Sequence, residues 1–221
     1  MTQMLNPHRE REPAFHGAAI DEAVVAVVLL HGRRQSPADA RALFDALDAP
    51  RALCVLPSAR ERSWYPHGFM APLAANQPSL DYAIDCVDAA VRLLLGRGFD
   101  ASRIVFMGFS QGACLAAHYV YTHPAAWGGL VALSGGLIGP PGQLPRPPAR
   151  ALTMPVLLGA SDADSWIPLP RVQETAALFR AAGATVDLRV YPGMPHQTND
   201  DEMQAARALL AALAERSAAL A

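Results

Sequence analysis

The chain of 221 residues has little cysteine, no long apolar run and almost no net charge. Each scarcity excludes something. Cys54, Cys86 and Cys114 are odd in number and lie far apart in apolar segments. They do not make a disulfide framework, and they predict free, buried thiols in a reducing cytoplasm. The longest apolar run, Ala23 to Leu30, is too short to span a bilayer. Residues 1–13 are polar, lack the apolar stretch of a secretory signal and read as a flexible lead-in to one domain over 1–221. A formal charge of −2 at pH 7 leaves no basic face for nucleic acid or for an acidic membrane surface. No histidine spacing suits a metal. His118 and His123 read as ordinary helix-surface or cap residues.

What the chain has is apolar content, 52% of residues, enough for one large core, arranged in alternating strand and helix patterns. Val24 to Leu30 is the continuous apolar run of a strand buried on both faces. Ser36-Pro37 supplies an N-cap and an N1 proline for a helix through Leu47. Ala52 to Leu56 is a strand, and a long connection runs from Pro57 to Pro78. Ser79 should cap a helix that Gly96 and Gly98 end. Strands follow at Ile104–Met107, Leu130–Leu133, Pro155–Leu158 and Thr185–Tyr191. Helices follow at Ala113–Val120, Leu169–Ala182 and Asp201–Leu213. Residues 135–150, rich in Pro and Gly, read as a stiff connection in preference to a lid. Phe15 to Ile20 is a candidate antiparallel edge strand. The alternation predicts an α/β fold with a mostly parallel central sheet flanked by helices on both faces. Sites in such sheets form beyond the C-terminal strand ends.

One strand end carries Gly108-Phe109-Ser110-Gln111-Gly112, a Gly-x-Ser-x-Gly between an apolar strand and a helix. This is the nucleophile-elbow pattern: a sharp turn exposes the serine hydroxyl at a helix N-terminus. Serine needs a base, and the base needs a third group to orient it. In the chain order Ser, acid, His, only His196 follows a later strand end. Asp162 and Asp164 both stand where the acid belongs, and spacing alone does not choose between them. Asp187 sits mid-strand and fits less well. An oxyanion hole would take the backbone N–H of Gln111 and that of Arg33, after the Leu30-His31-Gly32 strand end.

Leu30-His31-Gly32, Ser63-Trp64-Tyr65, Gly108-Phe109-Ser110-Gln111-Gly112, Asp164-Ser165-Trp166-Ile167-Pro168 and Gly193-Met194-Pro195-His196 together resemble the phospholipase/carboxylesterase family. The resemblance runs from about Val24 to Leu213. It implies an α/β-hydrolase fold, a Ser110–Asp164–His196 triad, oxyanion donors at Arg33 and Gln111, and no metal or organic cofactor. It also implies Trp64 near the pocket, a small-molecule ester as substrate, no integral membrane association and a homodimer as an option. Arg33-Arg34 stands where relatives often carry Leu-Gly or Arg-Gly. The stretch from Trp64 to Asn76 looks closer to bacterial carboxylesterases than to eukaryotic acyl-protein thioesterases.

Trp64, Tyr65, Phe69, Met70 and Leu73 give the long connection an apolar character suited to lining a pocket or anchoring the loop, and Trp166 borders Asp164. The expected function is a cytoplasmic serine carboxylesterase for small to medium acyl esters. The alternatives are a lysophospholipase or acyl-protein thioesterase on the same machinery, and a ligand-binding receptor that retains the triad without turnover.

Overall fold

In the computed structural model, which describes residues 6–218, the first long apolar run becomes strand β2 (Val25–Leu30), buried along its whole length. Its side chains alternate between two packed layers. Ala26, Val28 and Leu30 join one, and Val25, Val27 and Leu29 join the other. The remaining strands are β1 (Ala14–Gly17), β3 (Ala52–Leu56), β4 (Ile104–Phe109), β5 (Gly129–Leu133), β6 (Pro155–Ala160) and β7 (Thr185–Val190). They form a seven-stranded sheet in the order β1-β3-β2-β4-β5-β6-β7. All neighbours are parallel except β1, which pairs antiparallel with β3. The expected edge strand is therefore present, at Ala14–Gly17. Strand β7 at the other edge alternates in burial because only its inner face is covered.

The helices are α1 (Pro37–Asp45), α2 (Ser79–Gly96), α3 (Gln111–Thr122), α4 (Leu169–Ala181) and α5 (Asp200–Ala218). Residues of α2, α3 and α4 pack in the layer on one face of the sheet; those of α1 and α5 pack on the other. Helix α1 starts as its sequence directs: the Ser36 N–H donates to Asp39 Oδ2 at 2.8 Å, and Pro37 is the first helical residue. Helix α2 does not. Ser79 is its first residue and caps nothing; Pro78 holds the cap position, and Gln77 Oε1 accepts the Asp81 N–H at 3.3 Å. A proline in the cap position displaced the serine by one residue.

Two further expectations change. The lead-in is not flexible all the way to residue 13. Residues 1–5 lie outside the described residues, but Asn6 and His8 are docked. Asn6 Nδ2 donates to Tyr82 O and Asp85 Oδ2, both at 2.8 Å. His8 is buried, its Nδ1 accepting the Arg60 N–H at 3.0 Å. His118 is buried too, not on the helix surface, and desolvation pushes its imidazole down to about 4, so it is neutral. Among the described residues, no helix is long and apolar enough to cross a membrane.

The segment from 135 to 150 is pinned at its start. The buried Arg171 donates through Nη1 to Leu137 O and Gly139 O at 3.0 and 2.6 Å, and Thr175 Oγ1 accepts the Leu137 N–H at 3.0 Å. A buried guanidinium left without those carbonyls would be costly, so these bonds fix the first part of the connection.

Candidate active site

Strand β4 ends at Phe109 and α3 begins at Gln111, so one residue makes the whole turn. That residue is Ser110, with φ 56° and ψ −120°. Such a backbone is strained for an L-residue and persists because its surroundings hold it. Ser110 N–H donates to Leu133 O at 3.0 Å, and Ser110 O accepts the Cys114 N–H at 3.0 Å. The two flanking glycines make the turn possible. A Cβ on Gly108 would sit 2.4 Å from Gly112 C, and one on Gly112 would sit 2.0 Å from Leu30 O.

The side chains of Ser110, His196 and Asp164 form one hydrogen-bonded chain. His196 lies in the loop between β7 and α5, and Asp164 in the loop after β6. His196 Nε2 is 2.8 Å from Ser110 Oγ, and Nδ1 is 2.7 Å from Asp164 Oδ2. An ionised carboxylate only accepts, so Nδ1 carries the proton and Nε2 is free to accept the serine hydroxyl. Burial would raise the Asp164 carboxyl, but the His196 bond and the Ile167 and Trp166 N–H groups outweigh it and hold the carboxyl below the usual range. Asp162, the other candidate, instead accepts the Gly193 N–H at 2.7 Å and braces the histidine loop. Phe109 packs against the imidazole, with ring centroids 4.8 Å apart.

The Arg33 and Gln111 backbone N–H groups have no acceptor among the described residues. Gln111 N–H opens α3, where the helix dipole adds positive potential. Arg34 takes φ 66°, and its N–H donates to Arg62 O at 2.7 Å. Arginine itself adopts the left-handed backbone in the turn after Gly32.

The cavity at Ser110 has a volume of about 450 Å³. Tyr65, Phe69, Ile167 and Trp166 line it, with Arg33, Arg34, His67 and Cys114. Three of the pocket residues expected from sequence are elsewhere. Trp64 is fully buried, its indole donating to His31 O at 2.8 Å and stacking on the His31 ring at 4.9 Å. Met70 packs against the core, and Leu73 is exposed on a short 3-10 turn away from the cavity. Neighbours in a connected loop point to different sides, so an apolar stretch is not a single wall. Cys114 is no competing nucleophile, because burial pushes its thiol up to about 12. Among the described residues no cluster of three or more His, Cys, Asp or Glu is placed to hold a metal ion.

Two supports had no sequence signal beyond residue type. The Gln111 side chain, not only its backbone, matters: Oε1 accepts the Trp64 N–H at 3.0 Å and Nε2 donates to Tyr65 O at 2.8 Å. His31, whose imidazole is pushed below its ordinary range chiefly by burial, accepts the Ala59 N–H through Nε2 at 3.1 Å and donates from Nδ1 to Gly32 O at 2.8 Å. Together they tie the connection after β3 to the elbow.

Glu202 holds the histidine loop from the other side. Its Oε2 accepts the Asn199 N–H at 3.0 Å, and its own N–H donates to Asn199 Oδ1 at 3.0 Å. It is fully buried, and only Gly159 leaves room for it. Burial pushes this carboxyl up from 4.5 to about 7. Between those values the folded chain holds a proton that the unfolded chain releases, so stability falls as pH rises through the window. Glu202→Gln should flatten that fall and add about 1–2 kcal/mol at pH 8. Urea unfolding at pH 5 and pH 8 checks this; equal slopes for both proteins refute it.

Several known proteins are similar to this chain. A crystal structure of a phospholipase/carboxylesterase from Dyadobacter fermentans superposes with a TM-score of 0.87 at 35% identity, covering 91% of this chain and 97% of that one. Among curated proteins, the carboxylesterase SOBER1 of Arabidopsis thaliana is 24% identical over 148 residues, 65% of this chain and 64% of that protein. Acyl-protein thioesterase 1 of Saccharomyces cerevisiae is 29% identical over 125 residues, 55% of each. The chain thus matches somewhat under two thirds of these curated relatives' length. The family model for phospholipase/carboxylesterase matches residues 18–214, nearly the whole chain, which therefore belongs to that family.

Proposed function

We propose that the protein is a serine carboxylesterase hydrolysing small to medium acyl esters. The observation that carries this is the unbroken chain from Asp164 Oδ2 through His196 to Ser110 Oγ, at 2.7 and 2.8 Å, opening on a cavity beside two unpartnered N–H groups. In this reading Ser110 Oγ attacks the ester carbonyl while His196 Nε2 takes its proton. The carbonyl oxygen, now an anion, is received by the Arg33 and Gln111 N–H groups. Asp164 stabilises the imidazolium. The imidazolium then protonates the departing alcohol, leaving the acyl group on Ser110. Water, deprotonated by His196, hydrolyses that acyl-enzyme and restores the serine.

A cavity of about 450 Å³ suits a compact ester, within the usual range for small-molecule sites. The three unpaired cysteines are buried, which fits a reducing compartment, and we place the activity in the cytoplasm. The test is turnover of p-nitrophenyl esters of two to eight carbons, compared with acyl thioesters and lysophospholipids. Mass spectrometry after a fluorophosphonate should locate the adduct on Ser110. Fast ester release with that adduct is the expected result. Preference for thioesters or lysophospholipids would move the substrate to the runner-up readings. Tight ligand binding with neither turnover nor adduct would make the protein a receptor.

A further inference from the structure

Two cavities flank His196, and they differ in charge. The one described above contains Ser110; Arg33, Arg34 and His67 line it, and no acidic side chain does. The other, of about 530 Å³, lies between α1 and the loop that carries His196; it reaches His196 but not Ser110, and Asp39 and Asp200 line it. After the alcohol leaves, the acyl group stays on Ser110 Oγ. The acyl arm therefore belongs in the cavity that Ser110 lines.

The arginines there are not neutralised. Arg33 is anchored by carbonyls alone: Nη1 donates to Pro66 O at 2.6 Å, and Nη2 to Tyr65 O and His67 O at 3.0 and 2.5 Å. A guanidinium has five N–H donors, so two remain, together with its full charge. Arg34 is exposed and makes no ion pair among the described residues. Acids on the flanking segments are engaged elsewhere. Asp164 is bonded to His196, its side chain 1% exposed; Asp39 is bonded to Ser36; Glu61 lies 3.9 Å from Arg60. Phe69, Ile167 and a largely exposed Trp166 add apolar walls to the same cavity. Apolar walls concentrate the field of the cations into the cavity.

We propose that the acyl arm carries a negative charge: the preferred substrates are monoesters of dicarboxylic acids, with the free carboxylate facing Arg34 and Arg33. This rests on the esterase reading and narrows its substrate class. The loop geometry supports a dedicated role for Arg34, since it occupies a left-handed backbone (φ 66°) that glycine would take without strain. The residue chosen there adds a charge at the cavity mouth.

The test compares kcat/KM for the p-nitrophenyl monoester of adipic acid with that for p-nitrophenyl hexanoate, whose acyl chain has six carbons as well. Uncatalysed rates are subtracted. At low salt the wild-type protein should favour the monoadipate by about tenfold, and the preference should shrink as salt screens it. Arg34→Gln should cut the ratio at least threefold, and Arg34→Glu should reverse it. Arg33 is left intact because its side chain holds residues 65–67. A wild-type ratio at or below one, with hexanoate cleaved, overturns this proposal and leaves the esterase reading standing. An unchanged ratio in Arg34→Glu also overturns it. Cleavage of neither ester overturns both.

Discussion

Ser110→Ala should lower kcat for ester hydrolysis by about 10⁴- to 10⁶-fold while the protein stays folded. The side chain removed is one hydroxyl at a helix start. It accepts no internal bond that the fold depends on, since the backbone contacts of Ser110 to Leu133 O and from Cys114 N–H are untouched. His196→Ala should fall as far, because the hydroxyl without its base is a weak nucleophile. The double variant should be no worse than either single one, since the two side chains act as a unit. Asp164→Asn should lose about 10³- to 10⁴-fold, because an amide facing Nδ1 no longer fixes the tautomer that leaves Nε2 free. Initial rates with a p-nitrophenyl ester, beside thermal unfolding of each variant, check all four. A Ser110→Ala protein retaining a tenth of the activity would sink the mechanism. Additive losses in the double variant would mean that Ser110 and His196 do not share one step.

The second large effect is structural. Gly112→Ala should destabilise the fold by about 3–5 kcal/mol, a large part of the stability of an ordinary domain. The added Cβ would sit 2.0 Å from Leu30 O and 2.5 Å from Leu30 C, both backbone atoms of β2. Strand β2 cannot retreat, because Leu30 is paired with Gly108 on β4 and residues Val25 to Val28 are paired with β3. Helix α3 cannot retreat without carrying Ser110 and Gln111 N–H away from His196 and Arg33. A shift of about 1 Å there can cost on the order of 10²-fold in rate. Gly96→Ala is the control: a Cβ there meets nothing, and the change should stay within about 1 kcal/mol. Urea denaturation of the two variants is the measurement. Equal midpoints would show that the elbow has slack that the distances deny.

Much of this was readable in one dimension. A strand buried on both faces must be apolar throughout, so Val25–Leu30 announced itself; one at an edge alternates, so Thr185–Val190 did too. The elbow was legible because its glycines are a steric necessity of the turn. His196 followed from chain order and strand ends. Asp164 over Asp162 required the family resemblance, since two carboxylates in one loop look alike until a partner is present.

Other features have no local signature. Ser79 lost the cap to geometry set by the preceding proline. The burial of His8 depends on the Arg60 N–H, 52 residues away, and no local window contains both. Trp64 was an apolar residue near a pocket, and only the position of His31 O made it a brace of the core.

The sequence alone determined the layered α/β architecture and the family, and it singled out Ser110 and His196, because each depends on patterns carried by neighbouring residues or on chain order. Only the tertiary structure decided which wall each loop residue joins, what the Gln111 side chain holds, and which cavity carries the uncompensated arginines. Those depend on groups that meet across the sheet ends, where separation along the chain says nothing about distance.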